Sequence, residues 1–220
     1  MTLKKLLIRF SMMTVVCGVA LFLPAGSLRF WQGWIYLAIW FFLTLPAFAY
    51  FYKHDPAILE RRQRRKETIG EQKILMRFIY PLQAAVYILP GFDHRFGWSH
   101  PPVWLTILAQ AFVVAGYLMV LWVMKTNSFA GRTIQVEAGQ RVISDGPYRI
   151  VRHPMYLGGG VFFLFTPLAL GSYVAMAASV LIIPILVLRL LNEEKVLCQE
   201  LPGYAEYCLH TRFHLVPQVW

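Results

Sequence analysis

Ser144-Asp-Gly-Pro-Tyr-Arg-Ile-Val-Arg-His-Pro-Met-Tyr-Leu-Gly158 is a polar, turn-rich segment lying between apolar runs. Gly146-Pro147 signals a turn. Arg149 and Arg152 bring positive charge to an apolar boundary. His153-Pro154 reads as a helix start, with proline at the first helical position, where its missing N–H is not needed. From Pro154 to Leu188 the chain is uncharged, and Arg189-Leu-Leu-Asn-Glu-Glu194 then closes the apolar stretch. Gly171-Ser172 divides that stretch in two. So short a link folds it as an antiparallel helical hairpin and returns the second polar cluster to the first. The two clusters are expected to be the walls of one site, with Tyr148, His153 and Tyr156 beside Arg189, Glu193 and Glu194. Arg189 and Glu193, four residues apart, share a helical face. An interfacial Arg189–Glu193 ion pair, with His153 as a helix cap, is the purely structural alternative.

Working outward, the chain has 220 residues, 58% hydrophobic and 15% charged. Its mean hydropathy of +0.52 is too high for a soluble domain of this size. Segments 10–28, 30–52, 78–92, 103–124 and 154–188 hold no Asp, Glu, Lys or Arg. A membrane helix needs about 20 apolar residues. The expected spans are therefore Leu6–Pro24, Phe30–Tyr52, Ile74–Pro90, Val103–Met124, Met155–Leu170 and Tyr173–Leu188, about five to six in all. The fold class is an all-α polytopic integral membrane bundle with a C-terminal helical hairpin and a cytoplasmic amphipathic tail. In that tail Leu197, Leu201, Tyr204 and Tyr207 line one face, and Pro202-Gly203 interrupts the helix.

The net charge of +10 is the positive-inside signature of a membrane protein, not a nucleic-acid footprint. With both termini in the cytoplasm, 19 of the 21 Lys and Arg residues are cytoplasmic, all but Arg29 and Arg95. The basic connection from His54 to Arg77 is either an amphipathic helix on the membrane surface or a solvated charged loop. Its Arg61-Arg-Gln-Arg-Arg-Lys66 run resembles a nucleic-acid patch only in isolation, so no nucleic-acid partner is expected. Residues 1–26 read as a first span, since Leu23-Pro-Ala-Gly26 is a poor cleavage site. Cys17, Cys198 and Cys208 lack CxxC spacing, so neither a disulfide framework nor a zinc site is expected. Asp93, His94 and His100 in the outer loop Gly91–Pro102 are ordinary loop residues before they are metal ligands. Thr126-Asn-Ser-Phe129 and Arg132-Thr-Ile-Gln-Val136 alternate as a short extended piece would, and Glu137-Ala-Gly-Gln140 is a turn. Gly158-Gly-Gly160 admits the close approach of a helix or a ligand. Residues 1–125 are read as transmembrane helices with a basic loop, and 126–220 as the region that carries the chemistry.

That chemistry is not hydrolytic. The chain has no Ser-His-Asp candidate, no HExxH and no phosphate-cradling Gly-Lys-Ser/Thr. It offers a mixed-charge pocket with aromatic faces, suited to a zwitterionic or cationic ligand. Tyrosine faces attract a sulfonium, an arginine fits a carboxylate, and a glutamate fits an ammonium.

Gly146-Pro-Tyr-Arg-Ile-Val-Arg-His-Pro-Met-Tyr-Leu-Gly158, then Arg189-x3-Glu193-Glu194, then Gly203-Tyr-Ala-Glu-Tyr207 and Val216-Pro217, resembles the isoprenylcysteine carboxyl methyltransferase family. The wider superfamily includes phospholipid N-methyltransferases. The resemblance runs from about Asn127 to Pro217. It is specific for the superfamily and weak for the substrate. It implies a membrane methyltransferase using S-adenosylmethionine at the cytoplasmic face. By resemblance, Tyr148, His153, Pro154, Met155 and Tyr156 contact the cofactor, with Gln140, Val142 and Ile143 just before them and Glu193 and Glu194 opposite. Arg189 matches a position assigned to substrate handling and, with Glu193, is the expected catalytic pair. A prokaryotic inner membrane is the expected location.

The expected reaction is in-line methyl transfer to the carboxylate of an isoprenylcysteine-like or other lipophilic acceptor. A carboxylate is ionised at pH 7 and needs no general base. Arg189→Ala is expected to spare cofactor binding and lower turnover, and Glu193→Ala to weaken binding. The acceptor is a lipophilic small molecule, a prenylated chain or a membrane lipid. An amine acceptor would need a base such as Glu194 or His153. A scaffold or transporter is the reading from another class, and a transporter would carry ionisable groups near the membrane midplane. The sequence has them at the edge instead.

Overall fold

The computed structural model describes residues 3–64, 67 and 70–220. Arg65 and Lys66 of the basic connection lie outside the described residues. The described residues form helices α1 (Leu3–Ala25), α2 (Trp31–His54), α3 (Pro56–Gln63), α4 (Gly70–Phe96), α5 (Val103–Thr126), α6 (Pro154–Ala169), α7 (Met176–Glu200) and α8 (Tyr204–His210). A 3-10 turn at Gly146–Arg149 precedes α6. No strand occurs among the described residues, so the protein is an all-helical membrane bundle.

Five helices, α1, α2, α4, α5 and α7, are long and apolar enough to cross a membrane. In hydrocarbon every backbone N–H and C=O must be satisfied within the segment, which is why apolar runs of this length become helices. Large side chains such as Val15, Leu23 and Phe42 remain exposed, because lipid is their solvent. Packing between helices therefore relies on small residues and internal hydrogen bonds. Tyr36 Oη lies 3.2 Å from Thr166 Oγ1, and Thr44 Oγ1 lies 2.8 Å from Tyr117 Oη.

The hairpin differs from its expected shape. α6 has only 16 residues, roughly 24 Å of helix, short of the hydrocarbon thickness. Its partner α7 starts three residues late and continues through the second polar cluster to Glu200. Arg189, Glu193 and Glu194 are therefore positions on one continuous helix, as the helical face expected for Arg189 and Glu193 requires.

α5 packs along α6, and α4 lies against both α1 and α7. α5 and α6 approach closely at Gly116 and Gly158. A Cβ on Gly116 would stand 2.7 Å from Gly158 O and from Phe162 N. Gly116→Ala must push the helices apart. The expected cost is about 1–3 kcal/mol, read as a lower melting temperature in detergent. A melting temperature equal to wild type would mean that the crossing is looser than described.

The first half of the expected outer loop is helix, since α4 runs on to Phe96. Asp93, only 1% exposed, accepts from Ser99 N at 2.7 Å and from the hydroxyls of Ser99 and Ser172. It ties the end of α4 to the α6–α7 link. His94 stacks on Phe30 at 4.8 Å.

Within the basic connection, Pro56–Gln63 form the helix α3 rather than a loop. Asp55 caps α3 by accepting from Ile58 N at 3.2 Å, with Pro56 at its first position. Ile58 and Leu59 are buried against α1, α2 and α5 side chains. This packing fixes the arginines of α3 in place at the head end of the bundle.

Candidate functional site

Residues 127–145, where a short extended piece was expected, take an irregular path over the head end. Arginines from other elements hold them there. Arg61 Nη1 donates to Ser128 O at 3.0 Å, and its Nε to Glu137 Oε2 at 2.8 Å. Arg64 Nη1 donates to Glu137 Oε1 at 2.6 Å. Burial alone would raise the Glu137 carboxyl, but the Arg61 hydrogen bond and the two positive charges outweigh it and hold it below its ordinary range. The expected turn at 137–140 is present, with Gln140 N donating to Glu137 O at 3.0 Å and Gly139 at φ +75°.

Arg189, 7% exposed, is the second anchor. Its Nη1 donates to Gln72 Oε1 at 2.9 Å, and its Nη2 to Glu67 Oε1 at 2.6 Å and to Arg132 O at 2.7 Å. Glu67 Oε2 in turn accepts from Ile134 N at 3.3 Å. The Arg189–Glu193 ion pair of the purely structural alternative does not form. Glu193 instead accepts from Tyr156 Oη at 2.6 Å across the hairpin.

The C-terminal segment straps the other side. Arg152 N donates to Phe213 O at 2.8 Å, and His153 N to His214 O at 3.0 Å. Arg152 also donates through Nε to Thr211 O at 2.7 Å and through Nη2 to Arg212 O at 3.0 Å, and it pairs with Glu194. Glu194 also meets His214 Nε2 at 2.9 Å and His153 Nε2 at 3.8 Å. His153 occupies the cap position of α6, but its side chain makes no capping bond. Its ring is held by Glu194 and by Tyr204 Oη at 3.5 Å. Burial pushes the Tyr207 hydroxyl up to about 12, so it stays a donor and reaches Tyr148 O at 2.7 Å. The amphipathic tail face predicted from Leu201, Tyr204 and Tyr207 is buried, with Leu197, Val136, Val142 and Tyr148 packed on it. Gly203, at φ +82°, makes the break before α8.

These anchors enclose a cavity of about 510 Å³, within the usual size of a small-molecule site. Gln140, Val142, Ile143, Tyr148, His153, Pro154, Met155, Tyr156, Arg189 and Glu193 all line it. Glu194 does not; it faces the strap. Gly159 lines the cavity, whereas Gly158 meets α5, so the glycine run serves both a neighbouring helix and the cavity. Away from the polar head, the cavity continues between the helices to Trp40, Tyr87, Tyr117 and Phe162. Its walls therefore come from both halves of the chain.

Arg61, Arg62, Glu67, Gln72 and Arg132 were not named as site residues from the sequence. Their partners lie roughly 60–120 positions away along the chain, and no local pattern encodes such pairing. One signal was available: Ile58-Leu59 followed by Arg61-Arg62 is an apolar pair with charges one turn later.

The residues fit a zwitterionic sulfonium cofactor. Glu193 offers a carboxylate for an ammonium, Tyr148 and Tyr156 offer aromatic faces, and Val142, Ile143 and Leu197 offer apolar wall.

Residues 104–201 match the PEMT family, phospholipid methyltransferase. The match runs from the start of α5 to the end of α7 and takes in both polar clusters. The matched segment is similar to that family, which is part of the superfamily that also holds isoprenylcysteine carboxyl methyltransferases, the resemblance that the motifs at 146–158 and 189–194 carry. No curated protein matches the chain.

Proposed function

We propose that this membrane-spanning protein, similar over residues 104–201 to the phospholipid methyltransferases, methylates the polar head of a lipophilic acceptor, using S-adenosylmethionine, and most favourably at a carboxylate. One observation carries the reading: a single cavity joins a polar head, walled by Tyr148, Tyr156 and Glu193, to an apolar interior at Trp40, Tyr87 and Phe162. A polar cofactor and a greasy acceptor can therefore meet in one space.

S-adenosylmethionine supplies an activated methyl group on a sulfonium. Glu193, steadied by Tyr156, would hold the cofactor's ammonium, and Gln140, Val142 and Ile143 would close over it beside Tyr148, His153, Pro154 and Met155. Glu194 would act indirectly, by holding the strap against His153. Arg189 would act by tying α7 to the 127–145 segment. The apolar interior would take the acceptor's tail, entering sideways between helices. The carboxylate is favoured because the candidate bases are engaged: Glu194 with Arg152 and His214, His153 with Glu194 and Tyr204. An acceptor already ionised at pH 7 requires none of them. The head end would face the cytoplasm of a prokaryotic cell, following the charge asymmetry.

The family match itself favours a second reading, N-methylation of an aminophospholipid, with Glu193 the one acidic side chain lining the cavity among the described residues. Purified protein in lipid, supplied with methyl-labelled S-adenosylmethionine and a panel of lipid acids and amines, separates the two. Label released as methanol by mild base is the expected result and means a methyl ester. Base-stable label on an amine lipid replaces the first reading with the second. No transfer and no cofactor binding would overturn both.

A further inference from the structure

Arg62 enters the cavity from α3 with no acid beside it. Its Nη1 donates to Ala130 O at 3.3 Å and lies 3.7 Å from Met155 Sδ. Both partners are neutral, and both contacts are long for a charged donor. The neighbouring arginines are committed: Arg61 and Arg64 to Glu137, Arg189 to Glu67, Arg152 to Glu194. Among the described residues no carboxylate pairs with Arg62. Burial and the charge of Arg132 both push its guanidinium below the ordinary value. Burial acts the same way on Arg152, but there the Glu194 contact wins and the value rises. Arg62 therefore behaves as a positive charge still lacking its counter-charge.

A partly buried, uncompensated cation is costly. This one stands where the two ends of the cavity meet. Met155, its neighbour, belongs to the stretch that walls the polar head, and Tyr117 and Phe162 begin the apolar interior. Arg132 lines the same space, its guanidinium 5.8 Å above the Tyr80 ring. Arg189, the residue the sequence pointed to for holding an acceptor, already donates to three acceptors.

We infer that Arg62, seconded by Arg132, is the group that binds the oxyanion of the acceptor's head, a carboxylate or a phosphate oxygen on an amphiphile whose tail lies in the apolar part of the cavity. This rests on the methyl-transfer reading. The guanidinium fork suits either oxyanion, and the anion would be drawn to the junction next to Met155.

The test uses the full chain in lipid nanodiscs, loaded with S-adenosylhomocysteine, and calorimetry with three probes: N-acetyl-S-farnesylcysteine, its methyl ester, and farnesyl phosphate. The ester keeps the tail and removes the charge. The wild type is expected to bind an anionic probe about tenfold more tightly than the ester. Arg62→Gln is expected to abolish that preference with S-adenosylhomocysteine affinity unchanged, and Arg62→Lys to retain part of it. Unchanged cofactor affinity also certifies that the variant is folded. Loss of the preference for the acid assigns a carboxylate, and loss of the preference for the phosphate alone assigns a phosphate head. No preference in the wild type, or one that survives in Arg62→Gln, overturns the inference and leaves methyl transfer standing. Failure of the wild type to bind S-adenosylhomocysteine overturns the methyl-transfer reading itself.

Discussion

Replacing Arg189 with leucine is expected to abolish turnover and to lower stability by about 3–5 kcal/mol, the usual cost of breaking a buried ion pair from one side. The reason is the company it keeps. Glu67 and Gln72 are both buried, and both lose their charged donor together with Arg132 O. Glu67 would then hold an uncompensated charge, and the 127–145 segment would lose its tie to α7. Thermal unfolding in detergent, beside a methylation assay, checks this. Glu67→Gln combined with Arg189→Leu should recover part of the stability, because the stranded charge is gone, without recovering activity. A residue that only held substrate would lose turnover with no change in melting temperature, and that result would remove Arg189 from its anchoring role.

Glu193→Gln is expected to weaken S-adenosylhomocysteine binding about 10–100-fold, the range for losing one hydrogen bond to a charged group. The glutamine amide oxygen can still accept from Tyr156 Oη, so geometry is preserved and only the negative charge is lost. Tyr156→Phe should have a smaller effect, since it frees Glu193 to rotate but leaves the charge. Calorimetry measures both. Unchanged affinity in Glu193→Gln alongside slower turnover would transfer Glu193 from the cofactor to the acceptor.

Much of this was legible in the sequence, and the part that was not has a common cause. The spans followed from charge-free length, and the α6 start from His153-Pro154. The meeting of Tyr156 with Glu193 followed from a short link between two apolar runs. Each of these is a local pattern or a consequence of chain geometry. The partner of Arg189 was missed because a helical neighbour four residues away, Glu193, is the default reading, while Glu67 reaches it only through the tertiary fold. The end of α7 at Glu200 was legible too, because charge marks the membrane edge without stopping a helix and Pro202-Gly203 is the first breaker after Asn192. The role of α3 was hidden by composition, since a run of arginines looks alike whether water or a loop receives it.

The pairing of Arg152 and His153 with Phe213 and His214 fixes an order of events during synthesis. Both sides of the hairpin precede residue 214 in the chain, since α7 ends at Glu200. Until residue 214 is in place, one wall of the cavity has no backing, and Glu194 lacks His214. The cavity is therefore backed on that side only once Phe213 and His214 have joined the hairpin. A chain stopped between Glu200 and Thr211 would insert with all its long apolar helices and still lack a finished site.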